Sequence, residues 1–171
     1  TLAVALAIAV LVRDPPPLPH GPRGRLADLL RMRALWPMLA MMAVCYAPAA
    51  ALRGLWAGPY VADVFGADAA GIGRVTLVMG LAMIAGNFAY GPLERMLGTR
   101  KGLILGGNLL TLGCLILLWL LPARGLGLST ALLAGVGFFG ASFPMVIAHG
   151  RAFLPPALTG RGVTLLNLFG I

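Results

Sequence analysis

At 171 residues, with 60% hydrophobic content and a mean hydropathy of +0.93, the chain has the make-up of a membrane protein, not of a soluble domain. A formal charge of +8 would suit a nucleic-acid binder, but the charges cluster between apolar runs, with no basic helix and no aromatic-interleaved basic patch, so nucleic acid is excluded as a partner. Both cysteines, Cys45 and Cys114, lie inside apolar runs without further ligands, which points to buried free thiols and away from a disulfide or metal centre.

In chain order, residues 1–12 read as the end of a transmembrane helix. Arg13 follows as at a cytoplasmic helix end, and no basic residue precedes the run, so it is not a signal peptide. Residues 13–33 hold five arginines with Asp14 and Asp28, and Pro15, Pro16, Pro17, Pro19 and Pro22 rule out a regular helix at the start. Residues 34–60 form the next helix, carrying Arg53 and interrupted by Pro48 and Pro59. Residues 61–70, with Asp63, Gly66 and Asp68, form an acidic external loop. Residues 71–91 are a glycine-rich helix, 102–121 another with Gly102 and Gly106 spaced for close packing, and 128–149 a third with Gly135, Gly137, Gly140 and Ala141 as small contact residues. Residues 150–161, containing Pro155 and Pro156, make an internal loop, and 162–171 begin a last, truncated helix. The expected architecture is all-α, a polytopic transmembrane bundle. Because the chain starts inside one apolar run and stops inside another, it reads as a piece of a longer protein.

Charge placement gives the orientation. Ten of the thirteen basic residues fall on one side of this layout, only Arg74 and Arg124 on the other, and Arg53 within a helix. By the positive-inside rule, residues 13–33, 92–101 and 150–161 are cytoplasmic in a multi-pass protein of the cell (inner) membrane.

The organising stretch is residues 91–101, read as a charged hinge between two apolar runs that each can cross a bilayer, which makes an antiparallel hairpin. Gly91 is expected to let helix backbones approach, Gly98 to take a positive φ, and Arg95, Arg100 and Lys101 to pin the turn on the cytoplasmic side. Gly-x-Leu-x-(acid)-(base)-x-Gly with further basic residues resembles the loop signature of the major facilitator superfamily of secondary transporters. Gly91, Leu93, Gly98, Arg100 and Lys101 match it; Glu94 sits one position early, Arg95 holds the acidic slot and Met96 the basic one. The departure suits the degenerate second copy of the loop, between helices eight and nine. Residues 161–167, with Arg161 leading to an early Asn167, look like the family's entry into helix eleven.

The resemblance covers essentially the whole chain. It implies the end of helix six (1–12), the cytoplasmic linker between halves (13–33) and a partial C-terminal six-helix bundle (34–171). It also implies alternating access around a central site, with residues 91–101 as a gating loop. The implied partners are the lipid bilayer, a small-molecule substrate, a coupling proton or ion, and the N-terminal half of the same chain. The alternative is a membrane assembly factor or membrane-embedded enzyme that uses a similar bundle without transport.

Arg53 is the main candidate for substrate binding. It lies about twenty residues beyond Arg33, roughly 30 Å along a helix, hence in the outer part of the membrane. Tyr46, Arg53 and Tyr60 are spaced by seven, with Trp56 three beyond Arg53, so they are expected on about one helix face. Two readings fit: an anion site using bidentate hydrogen bonds and aromatic stacking, or an arginine that snorkels to an aromatic belt at the outer interface. The stretch 52–60 also looks somewhat like helix seven of the organophosphate antiporter branch, which implies the first. Asn87 and Ser142 are added as candidate cavity residues on helices eight and ten; Tyr90, His149 and Asn167 are weaker, and Phe138 and Phe139 suit either a cavity wall or a lipid face. Met38, Met41 and Met42 read as packing. All five acids, Asp14, Asp28, Asp63, Asp68 and Glu94, fall in loops or at helix ends, so this stretch has no proton relay. No phosphate loop, nucleophile elbow or ligand cluster is visible, so neither an enzyme nor a cofactor is expected.

Overall fold

The computed structural model describes residues 25–170, whose regular elements are all helices with no strand among them. The expectations for residues 1–24, including the first helix end and the proline-rich part of the linker, lie outside the described residues. Four stretches are long and apolar enough to cross a membrane: Leu35–Phe65, Ala69–Leu97, Arg100–Leu120 and Leu126–Arg151. They run antiparallel in sequence. One end of the bundle gathers Leu35, Gly98 and Arg151 and is called the Gly98 end below; the opposite Gly66 end carries the other two connections.

A short helix α1 (Leu26–Leu30) precedes the first span, its Arg25 N–H donating to Asp28 Oδ2 at 2.8 Å. The first span is built in pieces: α2 (Leu35–Cys45), α3 (Ala47–Ala51), a π turn over Leu52–Trp56, and α4 (Ala57–Phe65). Both irregularities sit beside prolines. Pro48 falls in the first turn of α3, where its missing N–H is harmless, and the break is taken at Tyr46. Pro59 cannot donate to a carbonyl in the turn before it, and the chain widens there. The Ala57 N–H bonds Leu52 O, five residues back.

Helix α5 (Ala69–Leu97) and helix α6 (Arg100–Leu120) follow, then α7 (Leu126–Gly140), α8 (Phe143–Arg151), a 3-10 turn at Pro156–Leu158, and α9 (Thr159–Leu168). Two of the connections share one device. Gly66 and Gly98 take left-handed φ values of 63° and 64° to stop a helix. Asp68 and Thr99 then cap the next, accepting from the N–H of Gly71 at 2.8 Å and of Gly102 at 3.1 Å.

These boundaries correct the expected layout. Residues 91–97 are not a hinge but the last two turns of α5, which continues through Pro92; only Gly98 and Thr99 lie outside helix. The acidic loop of 61–70 shrinks to Gly66, Ala67 and Asp68, with Asp63 on α4. The reason is length: 29 residues of helix span about 43 Å against a hydrocarbon core of about 30 Å, so the ends of α5 extend into water and take charges without unwinding. The span expected at 128–149 is divided at Ala141 and Ser142, ahead of Pro144.

Helix α7 is the centre of the packing, contacting both α5 and α6 broadly, while α2 lies against α8 and α9. Close approach depends on glycine. A Cβ at Gly137 would stand 2.8 Å from the Met79 carbonyl, and one at Gly86 would meet the Phe138 carbonyl and stand 2.9 Å from Ala141 Cβ. By contrast, Cβ atoms at Gly91 and Gly106 would meet nothing within 4 Å, so neither serves the close contact expected of it among the described residues. Two apolar clusters fill the bundle. At the Gly98 end Leu29, Leu35, Leu39, Met42, Val146 and Leu166 pack together, with Met38 and Met41 against them. Toward the Gly66 end Ala57, Val61, Val75, Met79, Leu133 and Val136 do so.

Candidate functional site

Helix α5 has two faces with different work. Val75, Met79, Gly86 and Tyr90 are buried, and Met79 and Gly86 lie against α7. Gly73, Thr76, Leu77, Gly80 and Asn87 recur at helical spacing on another face and line a groove against the first span. The groove has a volume of ≈ 570 Å³ where Tyr46, Ala50, Arg53 and Gly54 form its opposite wall, and it continues along α5 past Leu81 and Ile84 to Asn87.

Arg53 comes from the π turn and lies over Gly80: a Cβ there would be 3.8 Å from both Nε and Nη2 of the guanidinium. Gly80 is eleven residues into α5, about 16 Å from its start at the Gly66 end. Helical side chains lean toward the helix N-terminus, which for Arg53 is toward mid-span. Among the described residues no hydrogen bond or ion pair engages the Arg53 guanidinium.

The groove therefore presents a cation with five N–H donors, the Tyr46 hydroxyl, the Thr76 hydroxyl and the Asn87 amide between apolar walls. Thr76 donates to the carbonyls of Ile72 and Gly73 at 3.0 and 3.1 Å, and Asn87 Nδ2 donates to Met83 O at 3.0 Å, so each keeps acceptor capacity. The Tyr46 ring is held against Phe143 with centroids 4.7 Å apart.

Two candidates are not in the groove. Trp56, 63% exposed, is carried off its lining by the π turn, which changes the angular step between it and Arg53. Ser142 is fully buried, its Oγ 2.9 Å from Cys45 Sγ, where the breaks in the first and fourth spans meet. Asn108 joins this polar knot, donating to Ile104 O at 2.8 Å and Cys45 Sγ at 3.5 Å; Tyr90 donates to Phe139 O at 2.8 Å nearby. Tyr60 leaves the proposed aromatic face as well, with its hydroxyl donating to Pro122 O at 2.6 Å and 2.8 Å from Ser129 Oγ. Phe138 and Phe139 stack edge to face and are half-buried, and Asn167 is exposed on α9. Thr76 and Gly80 escaped the sequence reading, although their spacing with Gly73 and Asn87 marks one small and polar face of α5.

At the Gly98 end, Glu94 on α5 forms an ion pair with Arg100 on α6. The Arg100 Nη1 also reaches Ala148 O on α8 at 3.4 Å, so one guanidinium links three helices. Arg95, Lys101 and His149 surround the same hollow, Leu93 packs on Tyr90 and Leu103, and His149 stacks edge to face on Phe153. The shifted acid thus has a partner, one helix further along.

Four membrane-length helices with a cationic groove set between two of them define an integral membrane protein. The family description "Major Facilitator Superfamily" matches residues 1–170, and the chain belongs to that superfamily of transporters. Comparisons with curated proteins and with solved structures give no match.

Proposed function

We propose that this chain supplies the substrate-binding part of a secondary active transporter that carries a small organic anion by alternating access. The observation that carries the reading is Arg53: an unpartnered guanidinium over Gly80, within reach of the groove shared by Tyr46, Thr76 and Asn87. A charge within a membrane span is costly unless a cavity or counter-charge receives it, and a carboxylate or phosphate would accept its paired N–H groups. Leu77, Leu81 and Met83 suit the carbon skeleton of such a solute. Tyr46 and Asn87 orient it, while Trp56 and Ser142 are set aside as binding residues. The N-terminal half of the same chain closes the other side of the groove. Following charge placement, the Gly98 end faces the cytoplasm of a multi-pass protein in the cell membrane, and the Glu94–Arg100–Ala148 link holds the inner gate.

The test is solute flux with the full-length protein in proteoliposomes, screened against a panel of organic carboxylates and phosphate esters. The wild type should move at least one. Arg53→Gln should raise its KM by about 10- to 150-fold, the equivalent of about 1.5–3 kcal/mol for a hydrogen bond to a charged group. An unchanged KM would remove Arg53 from the site, and an absence of flux across the panel would remove the organic anion.

A further inference from the structure

We propose that the Gly98 end binds an anionic phospholipid, with the headgroup in a basic hollow and an acyl chain in the apolar trench beside it. The hollow has a volume of ≈ 560 Å³ and holds Arg95, Arg100 and Lys101 around Thr99 and His149. Its one carboxylate, Glu94, is already engaged by Arg100, which leaves the charges of Arg95 and Lys101 uncompensated among the described residues. The hollow also lies at the start of α6, where the backbone N–H groups of the first turn favour an anion.

The trench, ≈ 360 Å³, runs between α2, α6 and α8 and is walled chiefly by Met38, Met41, Ile104, Leu105 and Val146. Lys101 and His149 line both volumes, so the two are adjacent. Leu105 in turn begins an apolar stripe along α6. Leu109, Leu112, Ile116 and Trp119 follow it at helical spacing and are between 45% and 78% exposed. A chain lying in the trench would therefore run out along the apolar surface that α6 offers to the bilayer. A soluble anion would fill the hollow but leave the trench unused, and a neutral lipid would fill the trench but leave two charges without partners. Only an anionic amphiphile meets both demands.

The experiment uses the full-length protein in a neutral detergent, titrated separately with phosphatidylglycerol, phosphatidylcholine of the same chains, and inorganic phosphate. Native mass spectrometry reads retained lipid, and thermal unfolding reads stabilisation. Phosphatidylglycerol should be retained and should raise Tm, while the other two should do neither at matched concentration. Replacing both Arg95 and Lys101 by Gln should weaken phosphatidylglycerol binding about twenty-five-fold, at about five-fold per basic residue. Met41→Trp, which fills the trench, should weaken it with both charges intact. Arg95 is exposed, so Arg95→Gln alone supplies a variant whose folding is not at risk. Equal stabilisation by inorganic phosphate would overturn the proposal in favour of a plain anion hollow. Equal retention of phosphatidylcholine, or of phosphatidylglycerol by the doubly substituted protein, would overturn it in favour of unselective lipid.

Discussion

Replacing Gly86 by alanine tests the close packing of α5 against α7. A methyl group there would meet the Phe138 carbonyl and stand 2.9 Å from Ala141 Cβ, both on the α7 side of the interface, where neither backbone nor a buried alanine can swing away. Helices α5 and α7 would have to separate by several tenths of an ångström, loosening Met79 against Gly137 in the same seam. Overpacking of this kind costs about 1–3 kcal/mol. Gly91→Ala is the matched control, five residues along the same helix, where the new methyl meets nothing within 4 Å and gains up to about 1 kcal/mol of helix propensity. The two variants should therefore move in opposite directions, by about 1–4 kcal/mol in all when the two effects are combined. Thermal unfolding of the full-length protein in detergent, followed by differential scanning fluorimetry, reads the difference directly. If Gly86→Ala were as stable as Gly91→Ala, α5 and α7 would not pack as closely as described.

Glu94→Gln breaks a partly exposed ion pair, whose two side chains are 25% and 41% exposed, so stability should fall by no more than about 1 kcal/mol. Transport in proteoliposomes should fall further than that loss accounts for; equal small effects on both would make the pair a structural contact only. Peptide mapping after maleimide treatment should find Cys114 labelled first and Cys45 only on unfolding, since Cys45 is 1% exposed and Cys114 half-buried. Early labelling of Cys45 would mean that the junction with Ser142 opens in the native protein.

Much of the fold was legible because apolar runs of membrane length are a strong signal and short polar interruptions leave few ways to connect them. Gly98 and Gly66, each placed just where a helix must stop, could be read in the same way. Helix ends could not, since Glu94 and Arg95 look like loop residues in sequence but extend a helix that is longer than the hydrocarbon core is thick. The site was half legible. Arg53, Tyr46 and Asn87 stood out as polar groups in apolar runs and do share a groove, whereas Trp56 was assigned by a regular helical step that the π turn interrupts. Ser142 looked like a cavity residue because sequence does not reveal that the breaks after Cys45 and Gly140 are adjacent, where its hydroxyl is taken up by the Cys45 thiol.

The π turn also decides where this protein can change length. A π turn holds one residue more than the α-helical turn it replaces. Deleting Gly54 would let the first span close into regular helix while α3 and α4 kept their relative facing, and the Tyr60 hydroxyl would stay beside Ser129. The same deletion within α4, between the π turn and Tyr60, would rotate Tyr60 by about 100° and carry it off α7. Natural variants one residue shorter in this span should therefore have lost that residue within the turn that carries the arginine, so the segment that shapes the groove is also the one free to be edited.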